Sequence, residues 1–228
     1  MKKHICNLLA AAVLAFSGCS EDLLDKNPRD QISSDAFWKS KSDLDMALTA
    51  CYGSLQNAMF SYETPNWDVL TDNAYGQHNY GGSQAIVQGD ISPSSGGYIS
   101  DVYSNSYRAI TRLNIFLTQL AGYTGSDLDA ALRSAYEAEA RFLRGYYYYL
   151  LYFCYGAVPL VTEPLLLENQ VQPKVPAEQV LQQSVSDLDF AISNLQDVPY
   201  SENGGHAVRA SAEALKARLL LYAAYDES

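Results

Sequence analysis

Apolar positions recur along most of this chain at the spacing of one helix face, and the stretches that break the pattern divide it into parts. Ser42 can cap a helix with Asp45 three residues on, and Leu44, Leu48, Cys51 and Leu55 follow as an amphipathic stripe. Val102, Ala109, Leu113, Phe116 and Leu120 describe a second helix from Ser100 to Leu120, in which Asn114 is expected as a satisfied polar group at the core edge. A third helix is predicted from Ser126 to Tyr155, with Ala138, Phe142, Gly145, Tyr149 and Phe153 on one side and Gly145 as the place for a kink. Gly156 can take the positive φ that ends a helix, and Pro159 pushes Val158 towards extended backbone, so a strand is expected at Leu160-Val161-Thr162. Pro176-Ala-Glu-Gln opens a fourth helix, whose buried face would be Leu181, Val185, Leu188, Ile192 and Leu195. After a turn-rich loop from Asp197 to Gly205, Ala210, Ala214, Ala217, Leu221 and Ala224 predict a final helix able to approach a neighbour closely.

The non-periodic parts carry different information. Lys2 and Lys3 precede an apolar run from Leu8 to Phe16 and then Ser17-Gly18-Cys19, the order of a secretory signal over residues 1–18 with a lipoprotein cleavage site. The run is far short of the ~20 residues that cross a bilayer as a helix. Cys19 is therefore expected as the lipidated mature N-terminus, anchoring the protein without a spanning segment. Residues 19–40 lack periodicity and contain Asn27-Pro28 and Ser33-Ser34, which fits a tether leading to a folded body over residues 41–228.

Charge narrows the function. With 26 acidic and 15 basic residues the chain carries a formal charge of −11, made more negative by removal of a signal that holds two lysines and no acid. Nucleic-acid binding needs a basic patch, and Lys and Arg are scattered here, so that class is set aside. Cys6 lies in the signal, which leaves Cys51 and Cys154 in the body; both fall on apolar sides of predicted helices and are expected as buried thiols. Neither has histidines near it in sequence, and His4, His78 and His206 show no ligand spacing, so no metal site or cofactor is expected. No nucleophile elbow or phosphate loop is present. Glycoside hydrolysis would need a carboxylate pair placed by tertiary structure, and with so many acids such pairs are easily imagined, so the reading is a binder and not an enzyme.

The candidate chemistry lies in the long irregular stretch from Glu63 to Gly97. Sugar recognition needs flat aromatic faces for the apolar face of a pyranose, and amides or carboxylates for its hydroxyls. Asn66, Trp67, Asp72, Asn73, Tyr75, His78, Asn79, Tyr80 and Tyr98 supply both kinds of group. Each also has a plainer role open to it: Trp67 serves equally well as a core anchor for the loop, and Asp72 as a turn cap. The run Tyr146 to Tyr149 points all around a helix axis and is assigned to packing, with hydroxyls reaching partners at the rim; Arg141 and Arg144 are assigned to a partly buried ion network.

Glu137 to Pro164 reads EAEARFLRGYYYYLLYFCYGAVPLVTEP, and this order of aromatic helix, glycine stop and Gly-x-Val-Pro-Leu-Val end resembles the signature of the SusD/RagB family of outer-membrane nutrient-binding lipoproteins. Asp25-Lys26-Asn27-Pro28, Ala47 and Tyr52, Val175-Pro176, Asp187-Leu188 and Arg209-Ala210 occur in the family's order. The resemblance implies a mainly α fold of tetratricopeptide-like helical pairs with long irregular loops; Ala138-Glu139-Ala140 and Ala212-Glu213-Ala214 are only a weak internal echo of such pairs. Family members run considerably longer than this chain, which implies an N-terminal portion, truncated at the C-terminus. The resemblance further implies capture of an oligosaccharide, or a peptide in a nearer relative, and delivery to a SusC-like TonB-dependent transporter. Ser20-Glu21-Asp22 is similar to the signal that sends lipoproteins of the Bacteroidota to the outer leaflet of the outer membrane. A tetratricopeptide-like scaffold lipoprotein that recruits other proteins and has no small-molecule site is the alternative.

Overall fold

The computed structural model describes residues 37–57, 60 and 67–226, so the signal, Cys19, most of the tether and Asn66 lie outside the described residues. The chain divides into a unit Met1–Lys39 and a unit Ser40–Ser228, and the second holds the architecture described below. Among the described residues there are six α-helices and no named strand: α1 Lys41–Gly53, α2 Ser83–Gln88, α3 Tyr98–Gly122, α4 Ala130–Tyr155, α5 Ala177–Asn194 and α6 Arg209–Asp226. Helix α4 is central, packing on α5, α3, α1 and α6, while α5 packs on α6 and α1 on α3. This is the tetratricopeptide-like, mainly α arrangement of helical pairs. None of the described helices is long and apolar enough to cross a membrane.

The cap of helix α1 is Ser40, two residues before the expected Ser42. Ser40 Oγ accepts from Asp43 N at 3.3 Å while the Asp43 carboxylate accepts from Ser40 N at 2.8 Å, a reciprocal capping box. Asp45, the partner expected for Ser42, instead takes Lys41 Nζ at 2.8 Å and the Tyr136 hydroxyl of α4. The stripes on α1 and α3 are placed as the spacing requires: Leu44, Leu48, Cys51, Val102, Ala109, Leu113, Phe116 and Leu120 are all buried, with Leu55 half-buried at the end of the row.

Helix α4 begins at Asp129, whose Oδ1 accepts from Leu132 N at 2.7 Å, rather than at Ser126. It runs without interruption through Gly145. Nearly every residue from Ala138 to Tyr152 is buried, so the expected single stripe is an understatement: neighbours cover the helix on most sides, while Phe142 is half-buried and Phe153 exposed. Gly145 is a close-contact position and not a kink. A Cβ there would lie 3.1 Å from Leu188 Cγ and 3.3 Å from Ser184 O on α5, and Ser184 Oγ donates to Gly145 O at 2.7 Å. Gly145→Leu is expected to force α4 and α5 apart and to lower stability by about 1–3 kcal/mol, read as a fall in the urea midpoint; an unchanged midpoint would show that the contact is not tight.

The expected strand at Leu160-Val161-Thr162 does not form. The segment after Gly156, which has φ +64°, is extended, but among the described residues it meets other backbone only at the Pro159–Lys174 bridge and through Val175 N donating to Val158 O at 3.0 Å. Side chains take the place of a partner strand. The Tyr148 hydroxyl donates to Val161 O and accepts from Val161 N, both at 2.7 Å, Asn114 Nδ2 donates to Val161 O at 3.0 Å, and Tyr107 donates to Pro159 O at 2.6 Å. Asn114 is thus a satisfied polar group, set in the core and not at its edge. With Tyr147 and Tyr148 fully buried, the tyrosine run serves packing, and the Tyr148 hydroxyl reaches inward and not to the rim.

Two buried faces differ from expectation. On α5 the core residues are Val180, Ser184, Asp187, Leu188 and Ala191, while Leu181, Val185 and Ile192 are half-buried flanks and Leu195 is buried beyond the helix end. A count of apolar positions misses Ser184 and Asp187 because they are polar, yet they face inward to satisfy Gly145 O and Arg144. On α6 the small-residue stripe Ala210, Ala214, Ala217, Leu221 and Ala224 is exposed, and Ala212, Leu219 and Ala223 are buried instead. Apolar residues occur all round α6, so periodicity alone does not choose the inner side. Cys51 is a buried free thiol as expected; Cys154 is free but exposed, because the last turn of α4 borders an open cavity.

Candidate functional site

The irregular stretch between α1 and α3 is more ordered than its composition suggests. It contains single turns at Asp68–Leu70 and Tyr80–Gly82 and the short helix α2, none of which the periodicity indicated. Two glycines close it. Gly81 has φ +58° and a Cβ there would lie 2.5 Å from the Tyr98 ring, while a Cβ on Gly97, at φ +64°, would lie 2.2 Å from Gly81 O. Only residues without side chains permit this approach, which seats the tip of the loop on the start of α3.

Gln84, which the sequence did not single out, holds the next layer. Its backbone N–H donates to Asn79 Oδ1 at 3.0 Å, and its Nε2 donates to Gly76 O at 3.1 Å and reaches Tyr75 Oη at 3.5 Å. Nothing in the spacing of Asn79 and Gln84 marks them as partners, since the pair matches no common helix-cap interval. The result is a surface ridge. Tyr75 is 80% exposed and Tyr80 70% exposed, with the His78 ring edge-on to Tyr80 at a centroid distance of 5.7 Å.

The candidate residues separate into groups. Tyr75, His78, Asn79 and Tyr80 share the ridge. Asp72 and Asn73 sit exposed in the turn before it, where Asn73 N donates to Thr71 Oγ1 at 3.2 Å. Trp67 and Tyr98 are half-buried and line a cavity of about 490 Å³ together with Leu70, Ile86, Ile91, Val102, Cys154 and Tyr155. Trp67 lies edge-on to Phe153 at 6.4 Å, which ties the loop to the end of α4. Asn66 lies outside the described residues.

Ridge and cavity offer different chemistry. The ridge presents open tyrosine faces beside amide, imidazole and phenol groups, which is the combination a pyranose needs. The cavity wall is almost wholly apolar, and a sugar hydroxyl left unpaired there would cost about 1–3 kcal/mol. A second cleft, lined by Arg133, Glu137, Arg141, Arg144 and Thr162, has its guanidinium groups engaged. Arg133 donates to Tyr123 O at 2.6 Å, Arg141 to Glu137 Oε1 at 2.8 Å and Arg144 to Asp187 Oδ2 at 2.8 Å. Among the described residues no cluster of His, Cys, Asp or Glu is placed to hold a metal ion.

The described residues form tetratricopeptide-like helical pairs with an ordered aromatic loop seated on the start of α3. The family described as starch-binding and associating with the outer membrane, of the SusD-like type, matches residues 22–221, and the chain belongs to this SusD-like family. It is 28% identical over 230 residues to the SusD-like protein P25 of Formosa agariphila, covering 94% of this chain and 42% of that protein. A solved laminarin-binding SusD-like protein superposes with a TM-score of 0.71 at 26% identity, covering 83% of this chain and 41% of that one. The surface glycan-binding protein A of Bacteroides thetaiotaomicron, solved in complex with laminarihexaose, has the same fold, with a TM-score of 0.66 at 23% identity over 82% of this chain and 40% of that one. The chain therefore spans about two fifths of the length of the relatives it matches.

Proposed function

We propose that this chain provides the N-terminal helical framework, and one wall of the ligand site, of a surface-anchored lipoprotein that captures oligosaccharides. The captured glycan would pass to a SusC-like TonB-dependent transporter in the outer membrane. Cys19 carries the lipid in this reading, and Ser20-Glu21-Asp22 directs the protein to the outer leaflet. The protein binds and does not cleave, and transport energy comes from the partner.

The observation that carries the reading is the ridge: two tyrosine rings left open to solvent on a loop that Gln84, Gly81 and Gly97 hold in place. A rigid aromatic platform loses little entropy on binding, and several weak contacts add along an oligomer. Relatives that bind laminarin or are solved with laminarihexaose support the ligand class.

The test is calorimetric titration of the unlipidated Cys19→Ser protein, at its full natural length, with laminarin, starch, xylan and mixed peptides. One glycan class is expected to bind, and Tyr80→Ala is expected to weaken it by about 5–10-fold, the worth of one stacking contact. Saturable peptide binding would transfer the site to peptide capture. Recovery of the transporter with no ligand bound would favour the scaffold reading.

A further inference from the structure

The apolar cavity beside the ridge has no part in the reading above, and its chemistry is unsuited to a sugar ring. Its volume of about 490 Å³ falls within the range of ~300–1,000 Å³ typical of small-molecule sites. Trp67, Tyr98 and Tyr155 give it aromatic walls, and Ile86, Ile91 and Val102 give it branched aliphatic ones, with no charged side chain among the described lining residues. A charged ligand would lose its hydration with no charged partner among the described lining residues to replace it. Hydroxyls among the lining residues come from Ser92, Tyr98 and Tyr155, and that of Tyr155 already donates to Ile99 O. The site thus suits a neutral, compact, apolar group with at most one or two polar atoms.

We infer that this cavity is a binding site for an aryl or acyl group, carried as a substituent on the captured saccharide. Tyr98 joins the two sites: it lines the cavity, and its ring packs on Gly81, the residue after Tyr80 of the ridge. A sugar lying on the ridge would so place a pendant group at the cavity mouth, where Ile91 is 55% exposed. The link to a saccharide rests on the proposed function; the apolar site itself does not.

The test uses the environment-sensitive dye N-phenyl-1-naphthylamine on the unlipidated, full-length protein. Saturable fluorescence enhancement is expected. Ile91→Asp, which adds a charge to the wall at an exposed position, and Cys154→Trp, which fills the cavity from α4, are each expected to weaken dye binding by at least about tenfold. Val87→Asp, on the same short helix as Ile86 but outside the lining, is expected to leave it unchanged. Absence of saturable binding, or equal binding in the Ile91 and Cys154 variants, overturns the site. In a second arm para-nitrophenyl β-D-glucoside is expected to displace the dye at least about tenfold better than methyl β-D-glucoside. Equal displacement by free para-nitrophenol keeps the apolar site and assigns it to a free aromatic molecule; equal displacement by the methyl glucoside overturns the apolar preference. Loss of glycan binding on the ridge with dye binding intact would count against the proposed function alone.

Discussion

Replacing Asp187 by alanine is expected to destabilise the fold by about 3–5 kcal/mol, a large part of the ~5–15 kcal/mol that separates a folded domain from its unfolded chain. Asp187 is fully buried on α5 and takes Arg144 of α4 in a bidentate pair, Nε to Oδ2 and NH2 to Oδ1, both at 2.8 Å. The same guanidinium donates to Asn114 Oδ1 at 2.9 Å and to Thr162 O at 3.2 Å, so one side chain ties α3, α4, α5 and the extended segment together. Burial opposes the charge on Arg144, but the hydrogen bonds and Coulombic attraction of Asp187 outweigh it and hold the guanidinium pKa above its ordinary value. Without the carboxylate, a buried cation remains with only neutral acceptors. Urea denaturation should show a lower midpoint with an unchanged slope, since the same surface is exposed on unfolding. Arg144→Met combined with Asp187→Leu should recover much of the loss, because no charge is then left unpaired. A loss below about 1 kcal/mol in the single variant would mean that water reaches the guanidinium and the pair is not truly buried.

The second large effect is an alkaline collapse. Burial pushes the Tyr148 phenol up to about 12 from an ordinary 10.0, and that of Tyr146 likewise to about 12. Tyr52, Tyr107, Tyr147 and Tyr155 are raised too, with burial again the leading cause. A group whose folded pKa is raised keeps its proton longer in the fold than in the unfolded chain. Its contribution is therefore complete below about pH 10 and is lost as the pH climbs through about 12. Tyr148 alone, fully buried, is worth on the order of 2 kcal/mol in this sense, and its ionisation would remove the proton it donates to Val161 O. The urea midpoint should hold steady up to about pH 10 and fall steeply above it, with the buried tyrosines adding to tyrosinate absorbance only as the chain unfolds. A flat midpoint across that window would contradict the burial of these hydroxyls.

Parts of the candidate site were legible in the composition and parts were not. A long stretch rich in Gly, Asn and aromatic residues between two strong helical patterns marked the loop and named Tyr75, His78, Asn79 and Tyr80. Composition could not tell that Trp67 and Tyr98 belong to an apolar cavity, since that depends on Cys154 and Tyr155, more than fifty residues on in the chain, closing the other side. Nor did it reveal Gln84, an ordinary polar residue until Asn79 and Gly76 are brought against it.

Local pattern by itself determined the helices α1, α3 and α5, the glycine stop at Gly156 and the helix start after Pro176. Backbone preference and one-sided burial act over a few residues and leave a periodic trace. The signature from Glu137 to Pro164 carried the family. Tertiary structure alone decided which way α5 and α6 turn, because buried Ser184 and Asp187 are satisfied by α4 and the apolar residues of α6 lie on all its sides. It also replaced the expected strand by an extended segment held by Tyr148, Asn114 and Tyr107, since hydrogen bonds from distant side chains satisfy the same backbone groups a neighbouring strand would.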